Sequence, residues 1–162
     1  MGSYDAAQIC RNGHVVNEHF HRFAQFNQGF CTKFGAATMV MCDVCKTEIR
    51  GYYHTPGVVG ISEKMKAPVF CYSCGRPFPW TESRLKAAKE IAREMRELTP
   101  EEQASLEKSL DDLVRDTPTT ELSGIRSKKV MQKVGKESYE VMKTVISEVL
   151  SETAKKVVFP GK

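Results

Sequence analysis

From Thr81 onward, apolar residues recur every three or four positions. Leu85, Ala88, Ile91, Ala92 and Met95 give one apolar face to a helix over Glu82–Leu98, with Thr81 as its N-cap. Thr99-Pro100-Glu101-Glu102 is a second start signal: a capping Thr, Pro at the first helical position, and Glu three residues after the cap. That helix runs through Leu106, Leu110 and Leu113-Val114 to Arg115. Asp116-Thr117-Pro118 breaks it and opens a third helix with Leu122, Ile125, Val130 and Val134 inward. After Gly135 a last helix carries Tyr139, Met142, Val145-Ile146, Val149-Leu150, Ala154 and Val157, and Phe159-Pro160-Gly161 ends it. Short connections predict antiparallel neighbours, hence a small bundle of about four helices over 81–162. Its apolar stripes read as core or as a homo-oligomer seam. Before Trp80 the rhythm changes. Glu48–Tyr53 and Val58–Ile61 read as strands, joined by a turn at Thr55-Pro56-Gly57.

Composition sharpens this division. Residues 1–80 hold all six Cys, all four His, the only Trp and 12 of the 14 aromatics. They carry 8 Lys+Arg against 5 Asp+Glu, whereas 81–162 carry 16 against 15. The shift predicts a boundary near Trp80-Thr81. The fold class expected is therefore α+β: a module over 1–80, in two units (1–38 and 39–80), then the helical region. No stretch approaches the ~18–20 apolar residues of a membrane helix. Met1–Gln8 is polar and lacks an apolar h-region, so the expectation is a cytoplasmic protein with no secretory signal and no membrane partner.

Two Cys-x-x-Cys pairs stand out, Cys42-Asp43-Val44-Cys45 and Cys71-Tyr72-Ser73-Cys74. A tight turn between two Cys aims both sulfurs at one point, and Gly75 allows the left-handed backbone such a turn often needs. Two such knuckles would place four thiolates around Zn²⁺, and with the hairpin between them they form a zinc-ribbon-like β-hairpin/knuckle layout. The competing reading, a disulfide framework, fits poorly with the expectation of no secretory signal. A thioredoxin-like redox pair needs a βαβ context that the pattern does not offer.

A second, imperfect unit precedes the first. Phe30-Cys31-Thr32-Lys33-Phe34-Gly35 matches Phe70-Cys71-Tyr72-Ser73-Cys74-Gly75 at Phe, Cys and Gly, 40 residues apart. The repeat predicts Cys at position 34, where the chain has Phe34. Upstream, Cys10-Arg11-Asn12-Gly13-His14 offers a thiolate and an imidazole around an Asn-Gly turn. The first site is thus Cys10, His14 and Cys31, incomplete because of Phe34, with His19, His21, a water or nothing in fourth place. His54 reads as a surface residue at the hairpin tip.

Taken together, Tyr4-Asp5, Ala7-Gln8-Ile9-Cys10-Arg11-Asn12-Gly13-His14, Phe30-Cys31…Gly35-Ala36, Cys42…Cys45, Ile49-Arg50-Gly51, Phe70-Cys71…Cys74-Gly75 and Pro77-Phe78-Pro79-Trp80-Thr81 resemble an uncharacterised bacterial family. It is the domain of unknown function two-three-two-one. The resemblance extends into the tail through Asp116-Thr117-Pro118 and Glu152-Thr153-Ala154-Lys155. It implies a bacterial, cytoplasmic, zinc-ribbon-like protein and no activity. It also implies Cys where this chain has Phe34.

Three function classes follow. The first and preferred one is a zinc-binding, non-enzymatic adaptor or regulator with a protein partner, for which Tyr52, Tyr53, Phe78 and Trp80 are the candidate anchors. The second is a nucleic-acid-binding ribbon, using Lys33, Lys46, Arg50, Lys64, Lys66 and Arg76 interleaved with aromatics. The third is a metalloenzyme built on the open first site, with Glu18 as base. The formal charge of +4 weakens the second class. Four thiolates around one dication carry −2 together, which leaves +2 overall.

Overall fold

The computed structural model describes residues 2–58 and 64–160. The chain divides into two compact units, Met1–Thr81 and Glu82–Lys162. The first holds the strands found among the described residues; the second is helical. The architecture is mixed α+β.

In the first unit, β1 (Ser3–Ala6) pairs antiparallel with β5 (Arg50–His54). A second sheet has the order β3 (Val15–Asn17), β2 (Gln8–Cys10), β4 (Thr38–Met39), all antiparallel. The central strand is buried along its whole length, which Ile9 and Cys10 suit and Gln8 tolerates only because its amide is fully engaged. Gln8 Nε2 donates to the Gln28 carbonyl (2.8 Å) and to Thr38 Oγ1 (3.0 Å), and its Oε1 accepts from the Gln28 amide. The strand expected over Glu48–Tyr53 is present as β5. Among the described residues its neighbour is β1. The arm expected at Val58–Ile61 lies, beyond Val58, outside the described residues.

The core of this unit gathers Ala7, Ile9, Met39, Ile49, Phe78 and Trp80 with the thiols of Cys42 and Cys71. Phe78 and Trp80 stack nearly parallel, centroids 4.7 Å apart, and Trp80 Nε1 donates to the Pro68 carbonyl. Both rings are 3% exposed. They are core residues, not surface anchors, because Gly13 lies against Trp80: a Cβ there would sit 3.1 Å from the indole.

The second unit holds α1 (Pro79–Glu94, whose first residues belong to the first unit), α2 (Pro100–Leu113), α3 (Thr120–Met131), α4 (Lys136–Ile146) and α5 (Glu152–Val158). The first helix starts earlier than expected, at Pro79. Thr81 lies inside it, its Oγ1 donating to the Val69 carbonyl rather than capping. At α2 the capping box forms as the sequence reads: Thr99 Oγ1 accepts from the Glu102 amide, and Glu102 answers to the Thr99 amide. The long last helix expected after Gly135 is two helices. Ser151 caps α5 by accepting from the Ala154 amide, and its own N–H donates to the Leu113 carbonyl (2.9 Å). Five helices therefore stand among the described residues where about four were expected.

The third helix is turned over relative to expectation. Thr120, Ser123, Gly124, Ser127 and Met131 are buried, while Leu122 and Ile125 are 49% and 43% exposed. The small residues permit close contact: a Cβ on Gly124 would lie 3.0 Å from Val157 Cγ1. Two of their hydroxyls are satisfied locally, Thr120 Oγ1 donating to the Arg115 carbonyl and Ser123 Oγ to Asp112 Oδ2, while the Ser127 hydroxyl is buried without a partner. Ion pairs fasten this unit's surface: Lys89–Asp111, bidentate Arg93–Glu107, Lys133–Glu102 and Arg84–Glu148.

Candidate metal centre

Three eight-residue turns share one geometry. At Cys31, Cys42 and Cys71 the amide donates to the carbonyl five residues on: Ala36 (2.8 Å), Thr47 (2.9 Å) and Arg76 (2.8 Å). In each, the residue four positions after the Cys donates back to the Cys carbonyl: Gly35 (2.7 Å), Lys46 (3.0 Å) and Gly75 (2.9 Å). That residue has positive φ every time: 65°, 59° and 69°. A β-bridge closes each turn, Phe30 with Ala37, Met41 with Glu48 and Phe70 with Pro77. Glycine adopts this backbone freely; Lys46 does so at a cost.

The second and third turns bring four thiols together. Cys42 Sγ lies 3.8 Å from Cys74 Sγ, Cys45 Sγ lies 3.6 Å from Cys71 Sγ, and all four sulfurs fall within 4.8 Å of one another. Disulfide sulfurs sit ~2.05 Å apart, and all six cysteines are free. A regular tetrahedron of edge ~3.8 Å has its centre ~2.3 Å from each vertex, the metal–sulfur distance of a tetrathiolate zinc site. The donor set also calls for a cation. The Thr47 hydroxyl and amide hold the Cys45 thiol down at about 6. At Cys74 the Arg76 amide pulls the same way, but desolvation and the thiols of Cys45, Cys71 and Cys42 outweigh it and push that group up to about 11. Thiolates this close repel one another, and a dication between them offsets that repulsion. Cys42, Cys45, Cys71 and Cys74 thus fit a metal ion. Cys42 and Cys71 are buried against the core, and Cys74 faces solvent.

The first turn faces the Cys10–His14 loop. The Cys10 amide donates to the His14 carbonyl (2.9 Å), Gly13 donates back to Cys10, and Gly13 has φ 85°. The His14 amide donates to Cys10 Sγ (3.4 Å), and His14 Nδ1 lies 3.3 Å from Cys31 Sγ. Burial works to raise the Cys31 thiol, but the amides of Phe34 and Lys33, the Cys10 thiol and the Lys33 charge hold it below its ordinary value. Among the described residues, only the four thiols of the other centre converge as a group of three or more metal-ligating side chains. Phe34 stands where Cys45 and Cys74 stand in the other turns. It is 45% exposed and edge-on to His14, centroids 6.1 Å apart. Neither His19 nor His21 fills the fourth place. His21 Nε2 meets Glu48 Oε1 at 2.9 Å, and His19 packs on Phe23 and Tyr52. Glu18, the base candidate, accepts from the Met65 amide (3.3 Å).

Of the aromatic candidates, Tyr53 is exposed and Tyr52 is half-buried. Sequence reasoning missed a stack beside the centre: the Arg50 guanidinium lies between the rings of Tyr72 (3.7 Å) and Tyr4 (5.0 Å), and Tyr4 tilts against Tyr53 (4.8 Å). It also missed the bidentate pair of Arg11 with Asp43, which ties the Cys10 loop to the Cys42 knuckle. Neither pairing has a local sequence signal.

Fold and site together define a mixed α+β protein with a four-cysteine cluster able to hold a metal ion. The chain belongs to the bacterial family described as "uncharacterized protein conserved in bacteria" (DUF2321), whose model matches residues 3–158. No curated protein and no solved structure matches it.

Proposed function

We propose that Cys42, Cys45, Cys71 and Cys74 hold one structural Zn²⁺ and that the protein is a non-enzymatic adaptor or regulator with a protein partner. The observation that carries the zinc reading is the sulfur spacing of 3.6 and 3.8 Å, which matches the edge of a zinc tetrathiolate. All four positions are protein ligands, so no metal-bound water is left to activate. The ion's work is to hold two loops in place, and its binding energy becomes folding energy.

The exposed rings of Tyr4 and Tyr72 at Arg50, with exposed Tyr53 against Tyr4, support a protein partner, since Tyr and Arg are enriched at interface hot spots. Arg50 and Lys33 are already engaged with the protein's own rings, which takes two of the six basic candidates from the nucleic-acid reading. Elemental analysis of the purified chain and of Cys42→Ser tests the metal: loss of one zinc per chain in the variant is expected. A salt-dependent shift with single-stranded DNA or RNA at ~50 mM salt would instead favour nucleic acid.

A further inference from the structure

We propose that Cys10, His14 and Cys31 form a second metal site, three-coordinate in protein donors and open at the position of Phe34, for an exchangeable soft d10 cation such as Zn²⁺. This proposal rests in part on the four-cysteine reading, through the likeness of the turns. It starts from the backbone: the turn at Cys31 reproduces, bond for bond, the two turns that aim thiols in the other centre, including positive φ at Gly35. Pairing of β2 with β4 sets Cys10 opposite Thr38, and the Arg11 amide donates to the Ala37 carbonyl, so the loop and the turn are held face to face. Both thiols are buried, 0% and 2% exposed, yet an imidazole nitrogen stands 3.3 Å from one of them. A purely apolar filling of this space would have no use for an imidazole aimed at a thiol.

The donor set fixes the chemistry. Two thiolates and an imidazole suit Zn²⁺ or its soft relatives over Mg²⁺ or Ca²⁺. Three protein donors leave a fourth position for water or a small thiol, and an incomplete set holds the ion less tightly than four thiolates do. A bound cation also supplies the attraction that draws Cys10 Sγ and the imidazole to one centre. Phe34, 45% exposed, lies beside that fourth position with its ring nearly perpendicular to the His14 ring.

The test uses the full-length reduced protein, loaded with excess Zn²⁺, desalted, and followed with a chromogenic chelator. Two zincs per chain are expected, one released fast and one slowly. His14→Ala and Cys31→Ser should lose the fast one and keep the slow one, with the far-UV spectrum of His14→Ala confirming the fold. Phe34→Cys should slow the fast release by at least about tenfold, the scale on which ligand-shell changes act. One zinc per chain in the unaltered protein overturns the proposal, as does a second zinc indifferent to His14→Ala and Cys31→Ser. So does a Phe34→Cys chain that releases both ions as before. Absence of the slow zinc alone would instead count against the four-cysteine reading.

Discussion

The guanidinium carbon of Arg50 lies over the ring of Tyr72, 3.7 Å from its centre. Arg50 belongs to β5, and Tyr72 sits between Cys71 and Cys74. One strand of the β1–β5 sheet is therefore clamped to a ligand loop. An exposed cation–π contact contributes ~0.5–1 kcal/mol. If the four cysteines hold a metal ion, Arg50→Ala should speed its release by about two- to fivefold with little change in helical signal. An unchanged release rate would show that the loop is held by its own turn alone.

Chelation should separate the two units. Trp80, the only Trp, is buried in the first unit's core with Cys42 and Cys71, so its fluorescence reports on metal loss. Metal removal should shift its emission to the red while the second unit keeps most of the 222 nm signal. Helices that melt in step with the fluorescence change would mean that the units share their stability.

The third helix gives a contrast between its two faces. Gly124→Ala gains helix propensity of ~1 kcal/mol but drives a methyl into Val157, and overpacking costs ~1–3 kcal/mol, so the net effect should be destabilising. Pairing it with Val157→Ala should recover part of the loss. Leu122→Ala, on the exposed face, should change stability by no more than ~0.5 kcal/mol. Ser127→Ala should be neutral or stabilising, because the Ser127 hydroxyl is buried without a partner. Urea midpoints of the four variants decide each point.

Removing the capping box is the sharpest local test of the second unit. Thr99→Ala should cost ~1 kcal/mol and lower the melting midpoint of the helices by about 4–8 °C. A midpoint that does not move would mean that α2 is fixed by packing alone.

Acid should weaken the same unit. The Arg93 guanidinium holds the Glu107 carboxyl below its ordinary 4.5, and the Lys133 ammonium does the same for Glu102. A carboxyl depressed in the folded state binds fewer protons there than in the unfolded chain. Its contribution is thus complete above about 4.5 and is lost as pH falls through the folded value. Urea midpoints at 222 nm should drop below that pH, and Glu107→Gln should flatten the drop. An equal drop in the variant would assign the effect to other groups.

The two Cys-x-x-Cys pairs were legible because the metal geometry is written in local spacing. The capping box at Thr99 was legible for the same reason: its partners are three residues apart. The face of α3 was not. A count of apolar positions favours Leu122 and Ile125 as inward. It does not see that Thr120 and Ser123 can return their hydroxyls to Arg115 and Asp112 and so be buried at little cost. The β1–β5 pairing joins residues almost fifty positions apart and depends on Gly51, where a Cβ would meet the Glu18 carbonyl oxygen at 2.3 Å. The burial of Phe78 and Trp80 depends likewise on a distant glycine, Gly13.

Lys46 holds a place that glycine takes in the two sister turns, at φ 59°. A side chain in that backbone region costs ~1–2 kcal/mol, so this loop is a spring held shut by what it grips. Without an ion between the sulfurs the tension has nothing to work against, and the Cys42 loop is where the first unit should begin to come apart. Of the three turns, the one with the most strain is also the one that Arg11 braces from outside.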